Sequence, residues 1–196
     1  MTEAPSDHHA AARLISDYPL AWVCHLESGE STPLPLLGSY AADGRLRTLL
    51  GHLANRNPLC AALKTGGDVL ALFTGPQGYM SPSLVSQPDW GPTWNYAALS
   101  VRGTARMLPT VDEALDRLVA HAEAANESPW TSAALGARYD TLAQHISAFE
   151  IEVKTVEPRF KLGGEERPEI LQELIAGTEN AELAEWMLWK NAVQRH

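Results

Sequence analysis

Four short segments carry side chains whose types and spacing suit a polar, anionic ligand. The first is Gly51-His52-Leu53-Ala54-Asn55-Arg56-Asn57-Pro58. Asn57-Pro58 reads as a helix start, because asparagine caps free backbone N–H groups and proline suits the first helical position. A helix N-terminus offers unpaired N–H groups and the positive end of the dipole, so such a turn can receive a phosphate. Arg56, one residue before the cap, can add a charge-assisted contact. The plainer reading stays open: Asn57 only caps, and Arg56 is solvated. The second segment is Gly75-Pro76-Gln77-Gly78-Tyr79-Met80-Ser81-Pro82-Ser83, where the Ser81 and Ser83 hydroxyls and a glycine-rich backbone can line a polar ligand. Loops of this composition are common. The third is Pro92-Thr93-Trp94-Asn95-Tyr96. Trp94 or Tyr96 can stack on a planar ring while Asn95 bonds its edge, or the segment is a core tryptophan beside a turn asparagine. The fourth, Arg159-Phe160-Lys161-Leu162-Gly163-Gly164-Glu165-Glu166, is a basic, then glycine, then acidic turn before a helix, or simply a solvated loop.

Other chemistry finds no support. There is no G-x-G-x-x-G, P-loop, H-E-x-x-H or G-x-S-x-G. His52 is the only histidine inside a motif-like segment, and a lone histidine is more often a hydrogen-bonding structural residue than a general base. Nothing resembles a nucleophile with its base. Cys24 and Cys60 lie in apolar segments without metal-ligand spacing and read as buried small hydrophobes.

The elements that must position these segments follow from patterning. Residues 8–18 form a helix with Ala11, Leu14, Ile15 and Tyr18 on one face. Strands are expected at 20–24, 31–37, 46–50, 69–73, 94–108 and 149–155, with a bulge at Gly103 and a loop over 75–90. A short helix follows Pro58. Thr110-Val111-Asp112-Glu113 reads as a capping box, Ser128-Pro129 as the start of a helix carrying Leu135, Tyr139, Leu142 and Ile146, and Thr178 as the start of a last helix towards His196. This order implies an antiparallel sheet with helices outside it, not βαβ alternation. The 196 residues suffice for one domain, and apolar residues make up 45% of them. A net charge of −9 argues against nucleic acid as a partner. No apolar run is long enough to span a membrane, and the first residues lack signal-peptide character, so the expected location is cytoplasmic.

Together these segments resemble the PaiB-like family of FMN-binding split-barrel proteins, often labelled negative transcriptional regulators. The resemblance runs in order through Gly51–Ala54 with Asn57-Pro58, Phe73-Thr74-Gly75-Pro76, Tyr79–Ser83 and Pro92–Tyr96, and more weakly through Pro129-Trp130, Phe149-Glu150 and Lys161-Leu162. It covers most of residues 10–165. It implies the fold of pyridoxamine-phosphate-oxidase-like flavoproteins: a mixed β/α, mainly antiparallel split β-barrel with peripheral helices, the barrel at about 18–160 and a helical segment at about 167–196. It also implies FMN between the subunits of a homodimer. By that resemblance the cofactor-binding set is His52, Asn55, Arg56 and Asn57 at the phosphate turn, Ser81, Ser83, Trp94 and Asn95 around the flavin and ribityl chain, and Lys161 as a further phosphate candidate. The function implied is FMN binding, with oxidoreductase activity on an unknown substrate. The alternatives are a transcriptional regulator and a module of this fold without cofactor. The chain departs from the family pattern in three places: the tyrosine- and proline-bearing opening segment is not found, Leu84-Val85 replaces an aromatic pair, and Gly163-Gly164-Glu165-Glu166 follows Lys161-Leu162 where the family tends to Ser-Gln.

Overall fold

A computed structural model describes residues 5–191. Helix α1 (Asp7–Asp17) leads into strands β1 (Leu20–His25), β2 (Ser31–Tyr40) and β3 (Leu46–Ala54), then α2 (Pro58–Lys64), β4 (Asp68–Met80) and β5 (Thr93–Met107). Helices α3 (Asp112–Ala122) and α4 (Arg138–Ala143), strand β6 (Ile146–Lys161), and helices α5 (Pro168–Gly177) and α6 (Ala181–Lys190) complete the chain. The strands close an antiparallel barrel in the order β1-β2-β3-β6-β5-β4. Alternation explains the interior. Ala21, Val23, Leu36, Leu49, Leu53, Val69, Ala71, Phe73, Leu99, Val101, Phe149 and Ile151 all point inward and are fully buried.

The barrel is uneven in a way that shapes the site. Pairing of β3 with β6 stops at Thr48 and Glu152, whereas β6 runs on beside β5 as far as Lys161 opposite Tyr96. The ends of β4, β5 and β6 therefore overhang as a three-stranded extension. Its inner side is covered by α1, α5 and α6, where Trp186, Met187, Leu183 and Leu174 are buried against Ala97, Met80 and Leu162. At the opposite end α2 plugs the barrel with Leu59, Cys60 and Leu63. The bulge expected at Gly103 is present as a register shift beside Arg102, and a Cβ at Gly103 would collide with the Glu152 carbonyl.

Several expectations are corrected. Residues 75–80 are strand, not loop: β4 passes through Gly75-Pro76 by a register shift and pairs again from Gln77 opposite Tyr96. Residues 159–161, expected in a turn, end β6, which is twice as long as its clean alternation suggested because its later residues face helices rather than water on one side. Ser128-Pro129 starts no helix. A 3-10 turn (Ser132–Leu135) and the short α4 follow, and Ile146 opens β6. Thr110 makes no cap to α3, whose N-cap is Val111 without a side-chain bond. Thr178 ends α5, and Asn180 caps α6 by accepting from the Leu183 N–H. The continuation towards His196 lies outside the described residues. Cys60 is buried, but Cys24 is only half-buried on the outer face.

Candidate functional site

The candidate residues fall into two clusters. The first lies where β3 turns into α2. Asn57 caps α2 through Oδ1, which accepts from the Leu59 N–H at 3.0 Å. Pro58 has no N–H, and the Cys60 N–H donates to the Asn57 carbonyl. The free N–H groups expected at this helix start are thus already used, and α2 spans only seven residues. Asn55 is committed as well. Its Nδ2 donates to the Gln144 carbonyl at 2.8 Å, and its Oδ1 accepts from Ser147 Oγ at 2.6 Å, so it ties the turn to the start of β6. Arg56 is different: it is exposed, with no carboxylate at ion-pair distance among the described residues. Two residues' pitch back from Ala54, the half-buried His52 stands opposite Ala148 of β6. Its Nδ1 is buried without a hydrogen-bond partner among the described residues, and burial pushes the imidazole below its ordinary pKa.

The second cluster lies on the outer face of the β4–β5–β6 extension. Tyr79 pairs with Trp94, Gln77 with Tyr96, and Tyr96 with Lys161, so these side chains share one face. Trp94 and Tyr79 are 49% and 54% exposed, with ring centroids 6.1 Å apart. Gln77 Oε1 accepts from Trp94 Nε1 at 2.7 Å and fixes the indole. Lys161 donates to Thr93 Oγ1. The same face continues along β5 to Ser100, whose neighbour Leu72 pairs with Trp22 of β1. Leu20, Trp22 and Leu72 are all exposed there, a contiguous apolar surface of a kind that marks interaction sites.

Asn95 is not part of that face. Alternation along β5 turns it inward, 1% exposed, where its Nδ2 contacts Met187 Sδ of α6 at 3.7 Å. Trp94 and Asn95 therefore do not frame one ring from the same side, as their adjacency had suggested. Ser81 and Ser83 are occupied with each other: Ser81 Oγ accepts from the Ser83 N–H at 3.2 Å and lies 2.8 Å from Ser83 Oγ, closing a 3-10 turn at Pro82–Leu84. Glu166 accepts from Trp90 Nε1 at 3.2 Å, which accounts for one of the acids after Lys161. Gly163 adopts φ +82°, with Leu171 and Met187 packed where a side chain would go. The residues missed at the sequence level are Tyr79, Gln77, Trp22 and Leu72. For Gln77 and Tyr79 the signal was period-2 alternation, interrupted at Gly75-Pro76, which hid the second half of β4; Trp22 and Leu72 lie inside expected strands, and as apolar residues nothing in their local sequence marks them as facing outward.

Residues 3–155 match the family model described as "Putative FMN-binding domain". The chain belongs to this family. A curated relative is the protease synthase and sporulation protein PAI 2 of Bacillus subtilis, 31% identical over 117 residues, which is 58% of this chain and 56% of that protein. An uncharacterized protein of Emericella nidulans is 27% identical over 199 residues, covering 83% of this chain and 77% of its own. Among solved structures, an FAD- and heme-binding protein of Mycobacterium smegmatis aligns with a TM-score of 0.55 at 16% identity, over 90% of this chain and 81% of its own. The flavocytochrome Anf3 of Azotobacter vinelandii aligns with a TM-score of 0.57 at 14% identity, over 80% and 68%. These likenesses fix the fold as the split barrel of flavin-binding proteins. No helix among the described residues is long and apolar enough to cross a membrane.

The residues present fit FMN in the chemistry of the donor set. Among the described residues Arg56 has no carboxylate at ion-pair distance and the buried His52 Nδ1 has no hydrogen-bond partner, and Trp94 with Tyr79 offers exposed aromatic surface beside Lys161.

Proposed function

We propose that the protein binds FMN in sites shared by two copies of the chain. Arg56 of one protomer would take the phosphate, and the Tyr79–Trp94–Lys161 face of its partner would flank the ring. The observation that carries this reading is the separation of the two clusters. Asn55 is bonded to Ser147 at the start of β6, and Lys161 ends the same strand fourteen residues later, roughly 45 Å of strand contour away. One flavin cannot touch both clusters of one chain along that path, whereas a two-fold copy can bring them together. The exposed Leu20, Trp22 and Leu72 give such a copy an apolar surface to cover, which an isologous dimer does with one patch.

Bound there, flavin would supply the redox chemistry, and the substrate would be set by what packs against it. The chain's own part is to bind and orient: Arg56 holds the phosphate, Gln77 steadies the Trp94 indole, and Asn55 and Asn57 stiffen the turn that presents Arg56.

The test mixes two variants, Arg56→Glu and Trp94→Glu, both changed at exposed positions. Each alone should lose tight FMN binding. Unfolded together and refolded, they should regain a fraction of tight sites, since a mixed dimer carries one site with neither change. Flavin fluorescence titration reads the recovery. If each variant alone is weak and mixing restores nothing, the site lies within one chain and the shared reading fails.

A further inference from the structure

Where β3 and β6 part beyond Thr48 and Glu152, the barrel opens into a cleft of about 590 Å³, within the range of small-molecule sites. The β2–β3 hairpin and the start of α1 form its rim. Its charge is unusual for this chain. Arg45, Arg47, Arg106 and Lys154 line it, four of fifteen basic residues, against two of twenty-four acidic ones, Glu150 and Glu152. The lining alone thus carries two net positive charges in a protein of net charge −9, with Asp43 and Asp68 standing just outside it.

Three of the cations have partners. Arg106 pairs with Glu150, Lys154 Nζ reaches Asp68 at 2.6 Å, and Arg45 Nε reaches Asp43 at 2.7 Å. The Arg45–Asp43 and Lys154–Asp68 pairs are exposed on both sides and so hold their cations weakly, whereas Glu150, beside Arg106, is only 18% exposed. Arg47 has no carboxylate at ion-pair distance among the described residues. Its planar fork matches a carboxylate or phosphate. Beside it Tyr40, Leu46 and Val156 give the cleft an apolar wall. The Tyr40 hydroxyl lies over Gly38.

We propose that this cleft binds a small organic oxyanion, a phosphate monoester or carboxylate with an apolar body, held chiefly by Arg47 and independent of the flavin site. Independence follows from position: eight residues of β3 and its turn, roughly 25 Å of strand, separate Arg47 from Asn55, and Val156, the cleft residue nearest Lys161 along β6, lies five residues before it, roughly 16 Å of strand. The site would serve as a second ligand input to the barrel rather than as part of the FMN phosphate contact.

Phenyl phosphate, benzoate and benzyl alcohol serve as probes, titrated into the isotope-labelled full-length protein saturated with FMN, with amide NMR shifts as readout. The expected result is saturable shifts at residues 44–48 and 150–156 with phenyl phosphate or benzoate and none with benzyl alcohol. The stronger of the two identifies the oxyanion. Arg47→Ala, an exposed change, should weaken that binding at least tenfold while leaving the rest of the spectrum in place. Equal shifts with benzyl alcohol, no saturation in these residues, or the same affinity in Arg47→Ala would each overturn the proposal. Should FMN fail to bind at all, the same titration on the flavin-free protein still decides the cleft, so the two readings fail separately.

Discussion

The two ends of the barrel are closed by different means. At one end α2 is a local plug. It starts at a cap and a proline that sit next to it in sequence, and it buries four side chains of its own, Leu59, Cys60, Ala62 and Leu63. At the other end the cover comes from far away. Helix α6, at the end of the described chain, lies over β4 and β5, and Asn95 meets Met187 across ninety-two positions. Arg13 of α1 stands 4.8 Å and 4.5 Å from the Trp186 and Trp189 ring centroids and pairs with Glu185, joining the first helix to the last. The lesson is that the turn end presents its chemistry on a short, self-sufficient element, while the overhanging end can hold an exposed aromatic face only because distant helices fill its back.

That contrast predicts where damage spreads. Trp186 of α6 is buried against Tyr18 at the end of α1 and Phe160 of β6, so Trp186→Ala should cost about 3–5 kcal/mol of folding stability. Denaturant unfolding should show it as a lower midpoint. A loss under about 1 kcal/mol would mean that the α6 cover is dispensable and the two ends are alike. The aromatic face should also lose its order, seen as shifted and broadened amide NMR signals at residues 77–79 and 94–96.

Arg56→Glu tests the turn end at its function rather than its fold. Phosphate is the only formal charge that separates FMN from riboflavin. A charge-assisted bond is worth roughly 1.5–3 kcal/mol, or about one to two decades of affinity, and charge reversal adds repulsion. FMN affinity should therefore fall by at least tenfold while riboflavin affinity changes little. Equal loss of both ligands would make Arg56 a structural residue, and no loss of either would move the phosphate to Lys161. A smaller effect is expected for Asn57→Ala. Losing the cap should cost about 1 kcal/mol, because α2 keeps its buried Leu59 and Leu63. Unfolding curves of the two variants then separate the turn's stability from its binding.

What the sequence made legible follows the same division. The cap at Asn57, the strands with clean alternation and the bulge at Gly103 are set by neighbours in the chain, and each is found in place. The second half of β4 was hidden because Gly75-Pro76 shifts its register and reads as a turn. The inward turn of Asn95 was hidden because nothing near it in sequence announces α6. The helix N–H groups expected to meet a phosphate were misjudged because Asn57 and Pro58 consume the donors they advertise. Recognition of the FMN-binding family did not need those details, since the ordered motifs survive even where their geometry was misread.

The smallest effect sharpens the turn end through pH. His52 is half-buried with an unpartnered Nδ1, and burial holds its pKa below the ordinary 6.5. In the unfolded chain the same imidazole regains that ordinary value. Between the two values the unfolded state binds more protons, so stability rises with pH across this window and falls as pH drops below about 6.5. His52→Gln, which cannot titrate, should flatten that part of the stability profile relative to wild type while leaving the carboxylate-driven loss at lower pH. Thermal melts from pH 5 to 8 on both proteins supply the comparison. If the two profiles run parallel through pH 6, protonation of His52 costs the fold nothing, and its orphaned nitrogen is not as closed off as the burial implies. If they diverge, added FMN gives a further reading. A flavin contact at Nδ1 should change the divergence, whereas a ligand bound elsewhere should raise both profiles by the same amount.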